Sequence, residues 1–388
     1  MRSSITFLIL LAITLPAQAQ DSKTKPNTLT PKEIADGWIL LFDGERTFGW
    51  SVSASFGEET DRLVQASLLP TGRSVAKTRT EFGAFELDFE YRLETGEGSV
   101  GVHEKLSEET SRYALGSLPK TKKWAKVLMR NDKGKVVLER PGLPAVSYEF
   151  DKSLSIAFET RDGGDLTLRN VRLRPLNTKP LFNAKDLTGW KTFPGDKYKS
   201  IFTVTDQGDL NVKNGPGDLQ TVGKYQNFVL QLECISHGEH LNSGIFFRCR
   251  DNEYQNGYEA QIRNQFTPEA TQDYLIEVYD PMTNKLLEKK KLQSTAVDYG
   301  TGAIYRRQPA RKEMAKDGEW FAMTIVAHGN HLATWVNGVQ VTDWHDHRPK
   351  SDNARTGCKL DAGHISIQGH DPTTNLSFRN LRIAAWPK

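Results

Sequence analysis

The sequence has few cysteines, few long apolar runs and little excess charge, and each shortage excludes a class of protein. Three cysteines among 388 residues, at 234, 249 and 358, are too few and odd in number for a disulfide framework. Beyond the N-terminal region, no apolar run is long enough to span a membrane as a helix. The 51 basic and 48 acidic residues nearly balance, and the densest basic run is the three lysines at 289–291. This composition argues against a nucleic-acid-binding protein.

The cysteines and histidines show no strong metal-binding pattern. Cys234 and Cys249 fall on neighbouring predicted strands, where export would permit a disulfide and buried free thiols are an equally good interpretation. No Cys/His spacing is typical of a zinc site. His345 and His347, with an aspartate between them, are a weak pattern for metal binding. We therefore expect no metal and no cofactor.

The N-terminal residues are typical of a targeting signal. Arg2 precedes an apolar run at 5–15, and Ala-Gln-Ala at 17–19 has the spacing of a cleavage site. We predict a signal peptide over residues 1–19, followed by a polar, flexible lead-in over residues 20–33. The protein is then expected to be exported, either periplasmic or secreted.

Short alternating segments, rather than helical periodicity, dominate the rest of the chain. They are separated by turns rich in glycine, proline, asparagine and aspartate. Residues 334–344, TWVNGVQVTDW, are typical of a hairpin, because Asn337 and Gly338 at its tip both tolerate positive φ. The pattern predicts an all-β chain built as jelly-roll sandwiches.

Several motifs recur in the same order in the two halves of the chain. The pairs are LFDGERTFGW at 41–50 with LFNAKDLTGW at 181–190, FELDFEYRL at 85–93 with FVLQLECIS at 228–236, and LTLRNVRLRPL at 166–176 with LSFRNLRIAAW at 376–386. We interpret them as two copies of one module, residues 34–177 and 178–388. The short linker implies that the modules pack closely. The longer second copy is expected to hold the activity by itself, and the first to be a degenerate copy.

Polar side chains in the second copy are predicted to share one face of a sheet. In the segment 242–262, Glu259 and Gln261 alternate with apolar residues, and the preceding strand contributes Asn242 and Arg248. A carboxylate, a cation and two amides would suit a polyhydroxylated ligand, because such groups are costly without hydrogen-bond partners. A solvated sheet face with a salt bridge is the plainer alternative.

A second polar strand and a loop add further candidates. In GHISIQGHD at 363–371, Gln368 and His370 lie on the side opposite two isoleucines. A histidine near a carboxylate can act as a general base or acid, although an ordinary surface histidine is the alternative. Tyr305, in TGAIYRRQ at 301–308, is positioned to stack on a sugar or donate a hydrogen bond to it.

Three acids in the first copy suggest a different catalytic strand. Glu86, Asp88 and Glu90 resemble the E-L-D-F-E pattern of laminarinase-like retaining glycosidases, in which paired carboxylates act as nucleophile and acid. The repeat, however, aligns this strand with residues 229–233 of the second copy, so the pattern has an explanation without catalysis.

The second half resembles the bacterial 3-keto-disaccharide hydrolase family, also described as 3-keto-glucoside 1,2-lyase/3-keto-2-hydroxy-glucal hydratase. The matching motifs, in the family's order, are LFNAKDLTGW, NSGIFFR, GYEAQI, TGAIY, GEW, VNG, IQGH and FRNLRI. The first half matches only LFDG…GW, its FELDFEYR strand and the closing LRNVRL. The resemblance implies two tandem concanavalin A-like jelly-roll sandwiches and a substrate that is a 3-keto-disaccharide or 3-keto-glycoside.

The resemblance also implies a reaction and roles for the candidate residues. A ketone at C3 acidifies the hydrogen on C2, so a base can form the enolate and expel the group at C1, and water can then add back. Glu259, His370 and Arg248 supply a base, an acid and a cation, and either of the first two can be the base. The substrate's hydroxyls would be held by Asn242, Gln261, Gln368 and Tyr305. A non-catalytic, lectin-like sugar-binding protein is the alternative, because the same fold serves both.

Overall fold

The computed structural model of the chain describes residues 25–54, 63–64, 67–68, 71–106 and 109–386. The predicted signal peptide lies outside these residues. The described part is almost entirely β-structure; a short helix, α1, spans Pro31–Ala35 and a 3-10 turn spans Val297–Tyr299. Neither of these, nor any other described segment, is a helix long and apolar enough to cross a membrane.

The first sandwich is formed by strands β1 to β13. In chain order they are Ile39–Leu40, Trp50–Ala54, Leu63–Val64, Ser67–Leu68, Thr71–Thr78, Phe85–Leu93, Glu97–Leu106, Glu109–Ser117, Thr121–Asp132, Lys135–Arg140, Leu143–Glu149, Leu154–Asp165 and Thr167–Pro175. Among the described residues, one sheet has the order β11-β10-β9-β6-β13-β4-β3, with β1 also paired to β13. The facing sheet has the order β2-β5-β12-β7-β8.

The second sandwich is formed by strands β14 to β28. In chain order they are Lys179–Pro180, Trp190–Thr192, Ile201–Val204, Leu210–Lys213, Gly217–Thr221, Phe228–Ser236, Ser243–Cys249, Tyr258–Ile262, Gln272–Tyr279, Leu286–Ser294, Phe321–His328, His331–Val336, Val339–His345, His364–Gly369 and Asn375–Ala385. The larger sheet has the order β16-β17-β28-β19-β24-β25-β26, with β14 paired to β28. The smaller sheet has the order β15-β18-β27-β20-β21, and β22 and β23 form a separate hairpin.

The two sandwiches have the same strand order. Each strand of the first sandwich has a counterpart at the same place in the second, from β1 and β14 to β13 and β28. The hairpin β22–β23 is an addition in the second sandwich, inserted after the edge strand β21. The predicted all-β fold of two tandem sandwiches is confirmed.

A tryptophan closes the first motif of each sandwich in the same way. The indole Nε1 of Trp190 donates to the carbonyl of Leu181, nine residues earlier, at 3.1 Å. Trp50 donates in the same manner to Leu41. The glycine before each tryptophan has positive φ, +83° at Gly49 and +87° at position 189, which a side chain would disfavour. The repeated Leu-Phe…Gly-Trp pattern is therefore the signature of a tight loop.

The closing motif of each sandwich contains a β-bulge. Asn170 has φ +52° and Asn380 has φ +53°, and asparagine tolerates this left-handed conformation better than most residues. The register with the neighbouring strand shifts at both places. The flanking arginines pair with acids across the strands, as Arg379 does with Glu233 at 2.7 Å. The Arg-Asn repeat thus encodes a bulge and a cross-strand ion pair.

The apolar core of the first sandwich continues into the larger sheet of the second. Trp335, 1% exposed, belongs to this core with residues of β19, β24 and β28. Its indole donates to the carbonyl of Leu40 at 2.9 Å, and its ring lies 6.3 Å from that of Phe82. The two modules therefore share buried apolar surface, as the short linker predicted.

Two expectations need correction. The lead-in is not flexible over residues 25–33: Asn27 is buried and exchanges two 2.7 Å hydrogen bonds with Asn170, and the Thr30 capping box starts helix α1. Cys234 and Cys249 lie on strands of different sheets and not on neighbouring strands; the interpretation of both as buried free thiols is confirmed, and Cys358 is a buried free thiol too.

Candidate functional site

One face of the smaller sheet of the second sandwich is polar. Tyr258, Ala260 and Ile262 of β21 point into the core of that sandwich. Glu259 and Gln261 therefore lie on the opposite face, as their alternation predicted. The loop after the 3-10 turn covers the open edge of β21, because the Tyr305 backbone N–H donates to the Glu259 carbonyl at 3.0 Å. This cover protects an edge strand from other partners.

A cleft of about 750 Å³ lies over this face. Its volume is in the range of small-molecule binding sites. Five of the predicted site residues line it together. The full lining is Asn242, Tyr254, Gln255, Glu259, Gln261, Glu277, Tyr305, Arg306, Arg307, Arg348, Arg355, Thr356 and His370.

The carboxyl group of Glu259 is buried at the base of the cleft. It is 5% exposed, and an Arg355 nitrogen lies 3.3 Å from its Oε2. Burial raises the pKa of Glu259 to about 7, although Arg355 acts in the opposite direction. Gly244 on β20 makes room for this side chain, since a Cβ there would lie 2.8 Å from Glu259 Oε1. A carboxyl group with this pKa can accept and release a proton near neutral pH.

His370 follows directly after β27 and lines the same cleft. Its Nδ1 lies 2.8 Å from Oδ2 of Asp371. Although burial opposes it, hydrogen bonds from Thr373 and His370 hold the pKa of Asp371 below its usual value. An ionised Asp371 accepts the Nδ1 proton, which leaves Nε2 of the imidazole as a base. The hydroxyl of Tyr254 donates to the backbone carbonyl of His370 at 3.3 Å.

Two amides of the cleft are held by one acid. Asn242 Nδ2 donates to Asp298 Oδ2 at 2.9 Å, and Gln261 Nε2 donates to the same oxygen at 3.2 Å and to the Asp298 carbonyl at 3.0 Å. Because its Nδ2 is engaged by Asp298, Asn242 can present its oxygen as an acceptor, whereas Oε1 of Gln261 is buried and has no hydrogen-bond partner among the described residues. Such acceptors suit the hydroxyl donors of a sugar.

Gln368 is buried and does not line the cleft. It is 1% exposed and pairs in register with Asp218 of β18. Asp218 is also 1% exposed, and its Oδ1 has no hydrogen-bond partner among the described residues. Burial raises the pKa of Asp218 to about 8, with a backbone N–H of Gln255 opposing. Below that pH a neutral carboxyl group therefore lies on the polar side of the sheet.

The predicted position of Arg248 is wrong. Its backbone has φ +53°, and the register between β20 and β27 shifts at this point, so simple alternation fails. The side chain is fully buried and does not line the cleft. Its guanidinium donates to the carbonyls of Gln226, Gly329 and Lys359 at 2.7–2.9 Å. Arg248 therefore links three backbone segments by hydrogen bonds. The cation beside Glu259 is instead Arg355.

The other candidate constellations are occupied by structural contacts. Glu86, Asp88 and Glu90 each pair with an arginine of β13, Arg174, Arg172 and Arg169 in turn. The ring of His345 stacks on that of His331 at 4.1 Å and on that of His347 at 5.8 Å. Within the described ranges, no group of three or more His, Cys, Asp or Glu side chains is arranged to hold a metal ion.

Sequence reasoning missed Tyr254 and Arg355 of the cleft, and it placed Arg306 and Arg307 with Tyr305 in a loop at the rim of the sheet without giving them a role. Tyr254, Arg306, Arg307 and Arg355 come from loops, where no periodicity indicates which way a side chain points. The pair of arginines directly after Tyr305 was the available signal for part of this group. β18 carries a single acid, Asp218, so the sequence shows no pattern of acids there. The position of Asp218 beside Gln368 depends on the pairing of β18 with β27.

The fold and the cleft define a β-sandwich protein with a polar, acid- and arginine-lined pocket on one sheet. Over residues 177–384 the chain matches the 3-keto-alpha-glucoside-1,2-lyase-like domain, and it belongs to that family. The family predicted from the motifs is confirmed.

Three relatives illustrate the similarity. A protein of Bacteroides thetaiotaomicron named 3-keto-disaccharide hydrolase is 25% identical over 232 residues, 52% of this chain and 76% of that protein. Two crystal structures from Parabacteroides distasonis ATCC 8503, both described as glycosyl hydrolases, are also similar. The first is 21% identical with a TM-score of 0.39, and the second is 24% identical with a TM-score of 0.38. Each match covers 54% of this chain, and the matches cover 93% and 99% of the respective crystallised chains.

Proposed function

We propose that this protein is an exported enzyme that cleaves 3-keto-glycosides at the glycosidic bond, by elimination or by net hydrolysis. The observation that carries the proposal is Glu259, a buried carboxyl group with a pKa of about 7 in the same cleft as His370. A site that only binds sugar has no need of two proton-transfer groups beside an arginine. The name of the B. thetaiotaomicron relative supports the same class of reaction.

The proposed elimination uses groups that line the cleft. One of Glu259 and His370 removes the C2 proton, and the electron pair forms the enolate of the C3 ketone. Arg355 steadies the negative oxygen, the role predicted for Arg248. The C1–O bond then breaks, and the other of the two residues protonates the departing oxygen. Addition of water to the resulting double bond gives the 3-keto sugar.

Substrate hydroxyls are proposed to bind at Asn242 and Gln261, and Tyr305 is proposed to stack on the sugar or donate to it. Gln368 is buried beside Asp218, so we propose that it supports the base of the cleft.

The first sandwich is proposed to be a degenerate copy without catalysis. At the place where β20 pairs Phe246 with Glu259, β7 pairs Gly101 with Ala114. No carboxyl group is therefore present at the counterpart position. We further propose that residues 1–19 are a signal peptide, which would bring the enzyme to a periplasmic or extracellular substrate.

The test is incubation of the purified protein with a 3-keto-disaccharide, with products followed by mass spectrometry. Release of the leaving sugar together with a 2-hydroxy-3-keto-glucal or a 3-keto sugar is expected. Glu259→Gln and His370→Gln should each remove most of the turnover and leave the circular dichroism spectrum unchanged. Binding of the substrate without any cleavage would instead make the protein a lectin-like module.

A further inference from the structure

Four arginines line the cleft, and they outnumber its carboxylates. Arg306, Arg307, Arg348 and Arg355 all face it, against the two acids of the lining. A neutral sugar needs hydrogen-bond donors, but it does not need four positive charges. The distribution of these charges therefore carries information about the substrate.

Two of the arginines already have an acidic partner. Arg348 makes two hydrogen bonds to the carboxylate of Asp346, at 2.8 and 2.7 Å, and donates to nearby backbone carbonyls. Arg355 pairs with Glu259 and donates to the carbonyl of Gln255 at 2.7 Å. These two side chains are held in place by their partners and form the inner part of the cleft.

The other two are not paired with an acid in the part of the chain that the structure describes. Within the described part of the chain, no carboxylate lies within ion-pair distance of Arg306 or Arg307. Arg307 makes one hydrogen bond, to the backbone carbonyl of Arg355 at 3.0 Å, and Arg306 lies over the ring of Tyr305 at 5.4 Å. The nearby acid of the lining, Glu277, is held elsewhere, by Tyr279 at 3.1 Å and Lys289 at 3.5 Å.

Arg307 is also crowded by like charge. Burial, followed by the positive charge of Arg348, lowers the pKa of Arg307, while the more distant acids Asp346 and Glu277 oppose this and Arg355 adds to it. A partly buried guanidinium beside two others, with no carboxylate in ion-pair contact among the described residues, gains from a bound anion. The planar fork of each guanidinium matches the oxygens of a carboxylate or a sulfate.

We propose that Arg306 and Arg307 bind an anionic group, a carboxylate or a sulfate, on the leaving unit of the substrate. This inference rests on the proposed function, which places the reacting 3-keto ring at Glu259 and His370. Arg306 is exposed and Arg307 is half-buried, whereas Glu259 is buried, so the pair lies nearer the rim of the cleft, where the second unit of a disaccharide would extend. The preferred substrates are then acidic 3-keto-glycosides.

The test uses substrates that differ only in charge. The 4-carboxyphenyl, 4-sulfophenyl and neutral 4-carbamoylphenyl 3-keto-glucosides, in both anomeric forms, are compared by kcat/KM, with the sulfonate of the second standing in for a sulfate. We expect at least one anionic substrate to be preferred over the neutral one by about tenfold or more, the effect of a charge-assisted hydrogen bond. This preference should shrink as salt is added. A ratio near one for both anions would overturn the inference.

Variants assign the preference to the two residues. In the double variant Arg306→Gln/Arg307→Gln, the ratio of anionic to neutral kcat/KM should fall to about two or less. Lys213→Gln, an exposed lysine on β17 away from the cleft, should keep the wild-type ratio. A wild-type ratio in the double variant would contradict the inference.

Equilibrium binding separates this inference from the proposed reaction. Calorimetry with the unoxidised 4-carboxyphenyl, 4-sulfophenyl and 4-carbamoylphenyl glucosides measures the same preference without turnover. If no 3-keto-glucoside is cleaved but an anionic glucoside binds more tightly, and the double variant loses this difference, the anion site stands and the lyase function fails. Equal binding of all three would exclude the site even if cleavage occurred.

Discussion

The guanidinium of Arg355 lies 3.3 Å from the carboxylate of Glu259 at the base of the cleft. The two residues come from a loop and an edge strand that are far apart in the sequence, so only the folded chain brings them together. Burial raises the pKa of Glu259, and Arg355 is the strongest influence in the opposite direction. The charge of the central carboxyl group is therefore a balance between these two effects.

Removal of Arg355 should change both the rate and its pH dependence. In Arg355→Gln the pKa of Glu259 loses its main lowering influence, so the limb of the pH profile of kcat/KM that reports Glu259 should move to higher pH. Loss of the cation beside the enolate should also lower kcat by about tenfold to a hundredfold. Steady-state kinetics from pH 5 to 9 measure both effects.

The matched control is Arg379→Gln. Arg379 also pairs with a glutamate, Glu233, but on the larger sheet and outside the cleft. Its pH profile should be that of the wild type. An unshifted limb and an unchanged kcat in Arg355→Gln would rule out the electrostatic role.

Gly244→Ala should impair activity more than stability. The new Cβ would meet Oε1 of Glu259 at 2.8 Å and its Cγ at 3.0 Å, so the carboxyl group must move. The side chain is flexible, so we expect a stability loss of less than about 1 kcal/mol but a fall in kcat of about tenfold or more, since displacement of a catalytic group is costly. Gly98→Ala on β7 of the first sandwich, a strand glycine without positive φ, should leave kcat unchanged.

Asp218→Asn should stabilise the protein increasingly as the pH rises. The pKa of Asp218 is about 8 in the folded chain and about 4 when unfolded. Between these values the folded state holds a proton that the unfolded state lacks, so the free energy of unfolding of the wild type falls with rising pH. Asparagine cannot ionise, and the variant should therefore gain a few kcal/mol relative to the wild type from pH 4 to 8, because each pKa unit is worth about 1.4 kcal/mol.

Urea denaturation at pH 4.5, 6 and 8 measures this difference. Asp206→Asn, at an exposed turn of the second sandwich, should keep a constant offset from the wild type. A constant offset for Asp218→Asn as well would show that its carboxyl group does not titrate abnormally.

The alternation of polar and apolar residues along single strands predicted part of the site. Glu259 and Gln261 were placed correctly on the polar face because alternation along a strand depends only on neighbouring residues. The same rule failed for Arg248, where a bulge with positive φ changes the direction of the side chain. A bulge depends on the pairing of two strands, and this pairing is not visible in one of them.

The loops mark the limit of prediction from the sequence. Arg355 contacts Glu259 across ninety-six positions of the chain, and its direction depends on how the preceding loop packs. The repeated motifs were different, because each encodes a short-range feature such as the bond from Trp190 to Leu181. Fold and duplication could therefore be predicted, whereas the directions of the loop arginines could not.

Arg248→Lys should lower stability without lowering kcat. The guanidinium serves three backbone carbonyls, and a single ammonium group cannot reach all of them with the same geometry. Buried acceptors would lose their donors, at a cost of about 3 kcal/mol or more. Denaturant unfolding gives the stability, and kcat per folded molecule should match the wild type. The control is Arg130→Lys, at a half-exposed position on β9, which should lower the free energy of unfolding by less than about 0.5 kcal/mol. A reduced kcat in the Arg248 variant would instead indicate a role for Arg248 in catalysis.

The last prediction concerns the surface shared by the two sandwiches. Because Trp335 packs in the core of the first sandwich and donates to Leu40, the modules should unfold in one cooperative transition. Trp335→Ala should lower the free energy of unfolding by about 3–5 kcal/mol, as for other buried aromatic residues, and should shift the unfolding of both modules together. Trp335→Phe keeps most of the apolar contact and should lose about 1 kcal/mol with the hydrogen bond.

Thermal unfolding is followed by circular dichroism for the whole chain and by turnover of a 3-keto-disaccharide for the second sandwich. Two separate transitions in the wild type would show that the modules are independent, and residues 178–388 would then be expected to retain activity alone.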